Sequence, residues 1–368
     1  MLDLKAKIEH SRTRLSAEEA NAEFVVRVDR QTLIKDSYEA IIGAHSTWEL
    51  KQRLKIEFVG EKGKDYGGMS REWFLQLTEK LLAKDMGLFV RPCDERYEYH
   101  INPFSGTSFV SESPEKTHLD YFFFVGRILA MAFYHGKLVE MPMVAPFWKM
   151  LQLGEDFSKS SSGIVSLEDV RKIDPVYWKS LDWMLENDVN ELDMDFSITL
   201  ESPSGEMKLV NLKTDDTGEV VKISNENKRE YVEMAIQHKM YHSVMPQMQA
   251  IVTGFYEFIE RPKILDPFQT CELPIVFNGS PEVDVEDWRL NTHYDEGLSE
   301  WSEVVGFFWE VVDGWDNEKR SLLLQFATGS KKVPVGGFAN LYGSNGTEIF
   351  PLFFFGFVIP QMLNFSDM

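Results

Sequence analysis

The spacing of hydrophobic and polar residues predicts an α+β protein that is mainly helical. Residues 24–28 and 54–58 alternate between apolar and polar side chains, which is typical of half-buried strands. Apolar residues at helical spacing predict amphipathic helices over residues 31–42 and 70–82. Ser70 is the expected N-terminal cap of the second helix, because its hydroxyl can accept a hydrogen bond from a free backbone amide.

The middle of the chain predicts one buried helix, a set of strands and a divided helix. Residues 122–136 are apolar on nearly every side, but the stretch is too short and too polar to span a membrane. Residues 190–224 alternate as three strand segments separated by turns. A long helical pattern over residues 226–259 contains Pro246, which is expected to kink or divide the helix. Ser166 is expected to cap a short helix before these strands.

The last third of the chain predicts two further helices after an acidic linker at residues 295–297. The first helix should begin at Ser299 or Ser302, since serine is a favoured cap. Its apolar face is predicted to comprise Trp301, Val305, Phe308 and Trp309. The second helix should end at Thr328, with a face formed by Leu322, Leu323, Gln325 and Phe326. Two glycine-rich bends follow this helix.

Composition narrows the class of protein. The chain has 368 residues, of which 43% are hydrophobic, so two or three domains with sizeable cores are expected. A net charge of −21 argues against a nucleic-acid partner, because phosphate contacts need a basic surface. Cys93 and Cys271 form neither a disulfide framework nor a metal cluster, which favours a reducing, cytoplasmic compartment. The first residues lack the apolar stretch of a signal peptide.

Isolated motifs give weak functional signals. The glycine-rich turn at residues 60–68 lacks both common nucleotide-binding patterns, and an ordinary tight turn is favoured. Cys93 lies beside two acids, which disfavour a thiolate, so a structural cysteine is favoured over a nucleophile. His135 is better explained as a helix-end residue than as a catalytic one. His238 and His242 have zinc-binding spacing without a third ligand, and no metal or cofactor is expected.

Taken together, nine segments resemble successive motifs of the HECT domain, the catalytic domain of one class of ubiquitin ligases. They follow the family order over roughly residues 20–346. The segments are LKIEFVGEKGKDYGGMSREWF, INPFSG, HLDYFFFVGRILAMAFYHGKL, PFWKMLQLG, SLEDVRKIDP, NENKREYV, DVEDWRLNTHY, FFWEVV and LLLQFATGSKKVPVGGFANLYGSNG. The first of them, with FYHGKL, is most similar to the branch whose members carry WW domains upstream.

The resemblance implies a bilobal α+β architecture. Residues 1–297 would form a large, mainly helical N-lobe, in which a small α/β subdomain over about residues 175–250 binds the ubiquitin-conjugating enzyme. Residues 298–346 would form an incomplete α/β C-lobe, and residues 347–368 an atypical hydrophobic tail. The methionines of the long helix, which are otherwise more typical of a core, then acquire a possible docking role.

The resemblance also implies three groups of site residues. The positions that match the conjugating-enzyme surface are Leu185, Met194, Tyr231 and Ala235. The positions that match a second, ubiquitin-binding surface are Tyr97 and Met240. A hinge that lets the C-lobe swing is expected at Tyr294, Glu296 and Gly297, since glycine absorbs large dihedral changes.

In this family a C-lobe cysteine takes ubiquitin from the conjugating enzyme as a thioester and passes it to a substrate lysine. The sequence has no cysteine after Cys271, and Cys271 falls at the end of the N-lobe beside Glu272. The thioester cysteine is therefore expected to be absent. The apolar ending IFPLFFFGFVIP suggests a truncated or alternatively spliced end, or a gene-model error that reads through a boundary.

Two functions remain open from the sequence. The chain is either an incomplete form of a HECT-type ligase, inactive alone, or a non-catalytic module that binds conjugating enzyme or ubiquitin. The expected partners are the conjugating enzyme, ubiquitin, and substrates recruited by domains outside the chain. No membrane span is expected.

Overall fold

The computed structural model describes residues 3–15, 22–61, 68–93, 97–110, 115–159, 163–202, 205–292, 294, 299–328 and 330–341. The architecture is α+β and mainly helical, as the sequence predicts. The α-helices within these ranges are α1 (Leu4–Leu15), α2 (Leu33–Ile42), α3 (Thr47–Leu50), α4 (Gly68–Leu82), α5 (Ser105–Ser108), α6 (His118–His135), α7 (Ala145–Leu153), α8 (Leu167–Ile173), α9 (Pro175–Glu186), α10 (Lys228–Met240), α11 (Met245–Ile259), α12 (Leu273–Asn278), α13 (Val285–Leu290), α14 (Glu303–Asp313) and α15 (Asn317–Thr328).

The strands form three separate pairs in the described part of the chain. The strands are β1 (Glu23–Val28), β2 (Arg53–Phe58), β3 (Phe89–Val90), β4 (His100–Ile101), β5 (Ser197–Glu201) and β6 (Met207–Asn211). Strands β1 and β2 pair in parallel, because α2 and α3 return the chain between them. The pairs β3–β4 and β5–β6 are antiparallel. The strands predicted at 24–28 and 54–58 are therefore confirmed.

The described residues fall into two compact units. The first is drawn from Met1–Thr78, Met131–Glu140 and Glu272–Met368, and the second from Glu79–Ala130 and Met141–Cys271. In the first unit, the buried indole of Trp73 donates to the Ser37 hydroxyl at 2.9 Å. The Lys7 ammonium on α1 pairs with the Glu272 carboxylate at 2.7 Å, which ties the start of the chain to its last third.

The core of the second unit is built on close contact between α6 and α11. A Cβ added at Gly126 would collide with the carbonyl oxygen of Ile251, and one added at Gly254 would collide with that of Phe123. The two glycines therefore let the helix backbones approach more closely than larger residues would allow. Most of the residues of α6 around Gly126 are fully buried, so the predicted central helix is confirmed.

A second hydrophobic cluster, here called the carboxy-terminal core, belongs to the first unit. It consists of Val283, Val285, Trp288, Val305, Phe308, Trp309, Val312, Leu323, Leu324, Val333, Phe338 and Leu341. The Trp288 ring stacks on the Phe338 ring with centroids 4.9 Å apart. These residues come from both sides of the predicted lobe boundary at 297. Residues on both sides of that position thus share one packed core, and the lobe boundary at 297 stays a prediction.

Several local predictions are confirmed and others are corrected. Ser166 caps α8 in a reciprocal capping box with Asp169, and the predicted division near Pro246 occurs, because α10 ends at Met240 and α11 begins at Met245. The cap predicted at Ser70 is wrong, since α4 already begins at Gly68. Trp301 is 86% exposed and lies before α14, so it is not part of the buried face.

The remaining differences concern one helix face and one strand. In α15 the buried leucines are Leu323 and Leu324, whereas Leu322 and Phe326 are exposed. The third predicted strand segment, residues 219–224, forms only isolated bridges at Val220 and Lys222. The turn-rich sequence around it accounts for this, because too few consecutive residues remain to build a ladder.

Candidate functional site

Residues 175–250, which the sequence predicts as a small subdomain and which keep that name here, lie in the second unit and contain α9, the β5–β6 hairpin and α10. Helix α9 starts at Pro175, and the Asp174 side chain accepts a hydrogen bond from the Tyr177 amide at 2.9 Å. The Lys239 ammonium at the end of α10 pairs with Asp174 at 3.0 Å and lies 3.9 Å from the centre of the Tyr177 ring. The start of α9 and the end of α10 are thus joined by one charged contact.

A polar network fixes the loop that follows α9. We define it as Asn187, Asp188, Asn190, Asn225 and Lys228. The Asn225 side chain accepts a hydrogen bond from the Val189 amide at 3.1 Å and donates to Asp188 at 2.8 Å. The Lys228 ammonium donates to the Asn187 carbonyl oxygen at 2.6 Å. Hydrogen bonds from the Asn190 amide and from Asn225 lower the pKa of Asp188.

Separate contacts hold the segment that contains Met194. The Ile223 amide donates to the Met194 carbonyl oxygen at 2.8 Å. The Lys222 ammonium lies between the carboxylates of Asp193 and Asp195, at 2.9 and 3.0 Å. The Met194 side chain is half-buried, as is that of Leu185 on the last turn of α9. Both predicted docking residues are therefore held in the same subdomain and are partly accessible.

Tyr231 and Ala235 lie inside the subdomain instead. Tyr231 is 6% exposed, and its hydroxyl donates to the Ser197 carbonyl oxygen at 3.1 Å. Its ring packs edge-on against Phe196, with centroids 5.5 Å apart, and burial raises the pKa of its hydroxyl. Ala235, one turn further along α10, is fully buried. Both side chains face the interior of the free chain, and their part in docking stays a prediction.

The accessible apolar side chains around Leu185 and Met194 come from neighbouring positions. Trp183 on α9 and Leu192 in the following 3-10 turn are exposed, as are Met207 and Leu209 on β6. Sequence reasoning did not select these four residues. Met207 and Leu209 are two positions apart in a predicted strand, so their side chains lie on the same face. This spacing was the signal that could have identified an apolar strand face.

A cavity of about 800 Å³ lies on α10 beside Leu185. Val232 and Ile236 provide apolar lining, while Arg229 and Glu233 provide one charge of each sign. The mixture of apolar groups with charges of both signs suits contact with a protein surface better than enclosure of a charged small molecule.

The two predicted ubiquitin-binding residues differ in accessibility. Tyr97 is 82% exposed, whereas Met240 is 1% exposed. His100, three residues after Tyr97, lies near Lys239, which precedes Met240. Burial lowers the pKa of His100, and the charge of Lys239 lowers it further. The Met240 side chain faces the interior, and its part in binding ubiquitin stays a prediction.

The predicted hinge lies largely outside the described residues, which exclude Glu296 and Gly297. Tyr294 is described, and its hydroxyl accepts a hydrogen bond from the Trp309 indole at 2.9 Å. Tyr294 also packs against the carboxy-terminal core. The Tyr294 ring is therefore packed within the first unit, and the hinge at residues 294–297 stays a prediction.

Neither cysteine has the surroundings of a catalytic nucleophile in the described part of the chain. The Cys93 thiol donates to the Ile173 carbonyl oxygen at 3.4 Å, although the adjacent acids 94 and 95 lie outside the described residues. Cys271 is exposed, and its sulfur lies 3.7 Å from the Gln269 side-chain oxygen. An amide can neither take nor hold the thiol proton, so this contact does not produce a thiolate.

The histidines do not form a metal or catalytic centre within the described ranges. No group of three potential ligands occurs there. Burial lowers the pKa of His135 to about 4, and its Nε2 atom is 2.9 Å from the Leu50 carbonyl oxygen, which identifies a neutral structural histidine. Most of the glycine-rich turn at residues 60–68 lies outside the residues that the structure describes. The adjacent Glu61 is paired with Arg30 and would repel a phosphate.

Comparison with known proteins identifies the family. The HECT-domain (ubiquitin-transferase) family matches residues 75–350. E3 ubiquitin-protein ligase NEDD4 of Mus musculus is 39% identical over 349 residues, which is 95% of this chain and 37% of that protein. E3 ubiquitin-protein ligase pub3 of Schizosaccharomyces pombe is 36% identical over 351 residues, or 95% and 42% of the two chains.

A third relative is E3 ubiquitin-protein ligase RSP5 of Chaetomium thermophilum, which is 35% identical over 352 residues, covering 95% of this chain and 40% of that protein. The chain therefore spans well under half the length of these relatives. Among the described helices, none is long and apolar enough to cross a membrane. The order of motifs, the helical α+β fold and these matches lead to one conclusion: the chain belongs to the HECT family, and its relatives are NEDD4-type ubiquitin ligases.

Proposed function

We propose that this chain is the conjugating-enzyme-binding part of a HECT-type ubiquitin ligase. In such a ligase, ubiquitin moves from a conjugating enzyme to a ligase cysteine and then to a substrate lysine. The observation that carries the proposal is the fixed backbone of the loop after α9. The polar network holds residues 187–190, which follow Leu185, and the Ile223 amide holds the Met194 carbonyl oxygen, while both side chains stay partly accessible. A preformed surface binds a partner at a lower entropic cost than a mobile loop does.

The proposed docking surface consists of Leu185 and Met194, together with the exposed side chains of Trp183 and Leu192. Apolar and aromatic residues of this kind carry most of the binding free energy in protein interfaces. The buried Tyr231 contributes indirectly, because its hydroxyl holds the backbone of β5 at Ser197.

Calorimetry with a ubiquitin-conjugating enzyme tests this surface. The variant Leu185→Ala with Met194→Ala should weaken binding by about tenfold or more, as expected when two interface anchors are truncated. The control is Leu153→Ala, which removes an exposed leucine at the end of α7, away from the proposed surface in sequence. Equal affinities for the double variant and the control would refute the proposed surface.

We further propose that Tyr97 contacts ubiquitin, since its ring is almost fully exposed in the second unit. Tyrosine offers a large apolar face with few rotatable bonds, which favours interface contacts. In an NMR titration of labelled ubiquitin, Tyr97→Ala should reduce the chemical-shift changes, and Val110→Ala should leave them unchanged. Reduced chemical-shift changes with Val110→Ala but not with Tyr97→Ala would contradict this role.

Neither Cys93 nor Cys271 is proposed to accept ubiquitin. Support comes from the hydrogen-bond partners of the two thiols, a backbone carbonyl and a glutamine side chain. A polypeptide of residues 1–368 should bind charged conjugating enzyme without forming a thiol-sensitive ubiquitin adduct on a non-reducing gel. An adduct that disappears in Cys271→Ser would overturn this assignment. If no adduct forms, the same polypeptide also fits the second candidate function, a module that binds conjugating enzyme or ubiquitin without forming its own thioester.

A further inference from the structure

Strand β6 of the small subdomain has a free edge. The β5–β6 pair is a two-stranded sheet, and no further strand of the described chain pairs with β6. Residues 205–209 and Asn211 are all exposed, so this edge faces solvent. An edge strand in this situation presents unpaired backbone groups to any other strand that approaches it.

The hydrogen bonds of the hairpin identify which backbone groups of β6 are free. In an antiparallel pair, alternate residues bond to the partner strand, and the residues between them point their N–H and C=O groups the other way. The Ser202 amide donates to the Glu206 carbonyl oxygen at 2.8 Å. The Leu212 amide donates to the Phe196 carbonyl oxygen at 2.7 Å. Even-numbered residues from 206 to 212 therefore bond to β5, and the N–H and C=O groups of odd-numbered residues such as Met207 point to the free edge.

The opposite edge of the sheet, on β5, is already in use. The Ser197 carbonyl oxygen accepts a hydrogen bond from the Tyr231 hydroxyl at 3.1 Å. The Ser197 amide donates to the Asp195 carbonyl oxygen at 2.7 Å. A further strand can therefore be added on β6 but not on the whole length of β5. Pairing through one edge only gives a closed dimer instead of a fibre.

The two faces of β6 differ in chemical character. Met207 and Leu209 lie on one face and are 65% and 66% exposed. Glu206 and Lys208 lie on the other face, and both are exposed without an ion pair to any described residue. The strand contains no proline and pairs with β5 without a bulge. It thus lacks two of the features that keep edge strands from pairing with other chains.

We propose that β6 pairs in antiparallel orientation with β6 of a second copy of this chain, about a two-fold axis at Met207. In this register Glu206 of each copy lies directly opposite Lys208 of the other, so the strand is complementary to itself. The two Met207 residues exchange both of their backbone hydrogen bonds, because these groups point to the free edge. The apolar side chains of the two strands then share one face of a four-stranded sheet, which reduces their contact with water.

Other registers that satisfy the same backbone groups are less favourable. An axis at Lys208 would place the two lysines directly opposite one another, and like charges in that position destabilise a sheet. An axis at Leu209 would place Lys208 opposite Val210 and leave Glu206 without an opposite charge. The net charge of −21 on each copy does not prevent pairing, because at about 0.15 M salt charges are screened beyond about 8 Å.

Sedimentation equilibrium of the whole chain at increasing concentration tests the pairing. The contact is short, so the dimer should form in the micromolar to millimolar range, as small transient interfaces do. Met207→Pro removes the N–H at the free edge without removing a bond to β5, and should abolish the dimer. Met207→Val is the matched control, since it keeps the N–H and an apolar, strand-forming side chain, and should dimerise as the parent does.

Two charge variants test the register. Glu206→Lys and Lys208→Glu each bring like charges opposite one another, so each variant alone should dimerise about tenfold more weakly than the parent. An equimolar mixture of the two variants should recover the parent affinity, because every cross-strand pair then joins opposite charges. The control is a mixture of Lys35→Glu and Glu39→Lys, which makes the same changes at exposed positions of α2 and should behave as the parent does.

Three results would overturn the proposal: a monomer at every concentration up to about 1 mM, full dimerisation of Met207→Pro, or a mixture of the charge variants that stays as weak as its components. Circular dichroism melting shows that each variant remains folded, and the charge variants test the pairing even where the proline variant does not fold. None of the substituted residues belongs to the proposed docking surface, so the outcome does not depend on binding of the conjugating enzyme.

Discussion

The small subdomain and the carboxy-terminal core are held together by different forces. The loop of the subdomain is fixed by hydrogen bonds of its polar network, which centres on Asn225 and Lys228. The carboxy-terminal core is fixed by apolar packing around Trp288, Trp309 and Phe338. Hydrogen bonds specify direction, whereas apolar burial mainly supplies stability. The hydrogen bonds of the small subdomain suit a surface that must keep one shape. The apolar packing of the carboxy-terminal core suits a structural core.

The largest expected effect is a loss of stability in the carboxy-terminal core. Trp288→Ala removes a buried indole that stacks on Phe338, and should lower the free energy of unfolding by about 3–5 kcal/mol, as for other large core truncations. Urea unfolding measures this change. Leu290→Ala on the same helix is the control, because that side chain is exposed and should cost less than about 0.5 kcal/mol.

Hydrogen exchange on Trp288→Ala also tests where the unit begins. Faster exchange should extend to α14, because Val305 and Trp309 share the core with Trp288. Unchanged exchange in α14 would mean that the boundary lies after Trp288, as the sequence alone suggested.

A smaller effect is expected in the polar network. Asn225→Ala leaves the Val189 amide and Asp188 without their partner and should lower the free energy of unfolding by about 1–2 kcal/mol. Affinity for the conjugating enzyme should also fall, because the loop that leads to Met194 loses its fixed conformation. Asn211→Ala, an exposed asparagine on β6, is the control for both measurements. Full affinity in Asn225→Ala would show that the network does not organise the surface.

The smallest effect should be a difference in pH dependence between the two regions. Burial, followed by the neighbouring charges of His242 and Lys208, lowers the pKa of His238 below its ordinary value of 6.5, and burial lowers that of His242. As pH falls through 6.5, the unfolded chain takes up protons that the folded subdomain does not, so its stability decreases.

The carboxy-terminal core, as defined by its described members, contains no histidine and should lack this dependence. Hydrogen exchange of α10 and α14 at pH 7 and pH 5.5 compares the two regions. His238→Gln with His242→Gln should remove most of the extra dependence of α10, and His45→Gln should not. Equal acid sensitivity of both helices would contradict the role given to these two histidines.

Periodicity predicted most elements of the fold, but it could not predict which side chains of a motif face inward. The strands β1 and β2, the buried α6 and the division near Pro246 follow from local spacing and from proline chemistry. Tyr231 was selected by resemblance, yet its side chain packs against Phe196 and bonds to the Ser197 carbonyl oxygen on β5, both distant in sequence.

Two other features depended entirely on tertiary structure. The boundary at 297 was suggested by an acidic, glycine-containing linker, whereas the observed core extends back to Val283 through packing that no local pattern shows. The pairing of Lys7 with Glu272 was not visible either, because the two residues are 265 positions apart in the sequence and meet only after folding.

Hydrogen-exchange mass spectrometry of residues 1–368, with and without a ubiquitin-conjugating enzyme, tests the central claim most directly. The predicted result is slower exchange in residues 183–196, with no change in residues 303–328 of the carboxy-terminal part. Leu185→Ala with Met194→Ala should abolish that protection while leaving the exchange of the free protein otherwise unchanged. Protection confined to residues 303–328, or no protection at saturating enzyme, would contradict the assignment of the small subdomain as the docking surface.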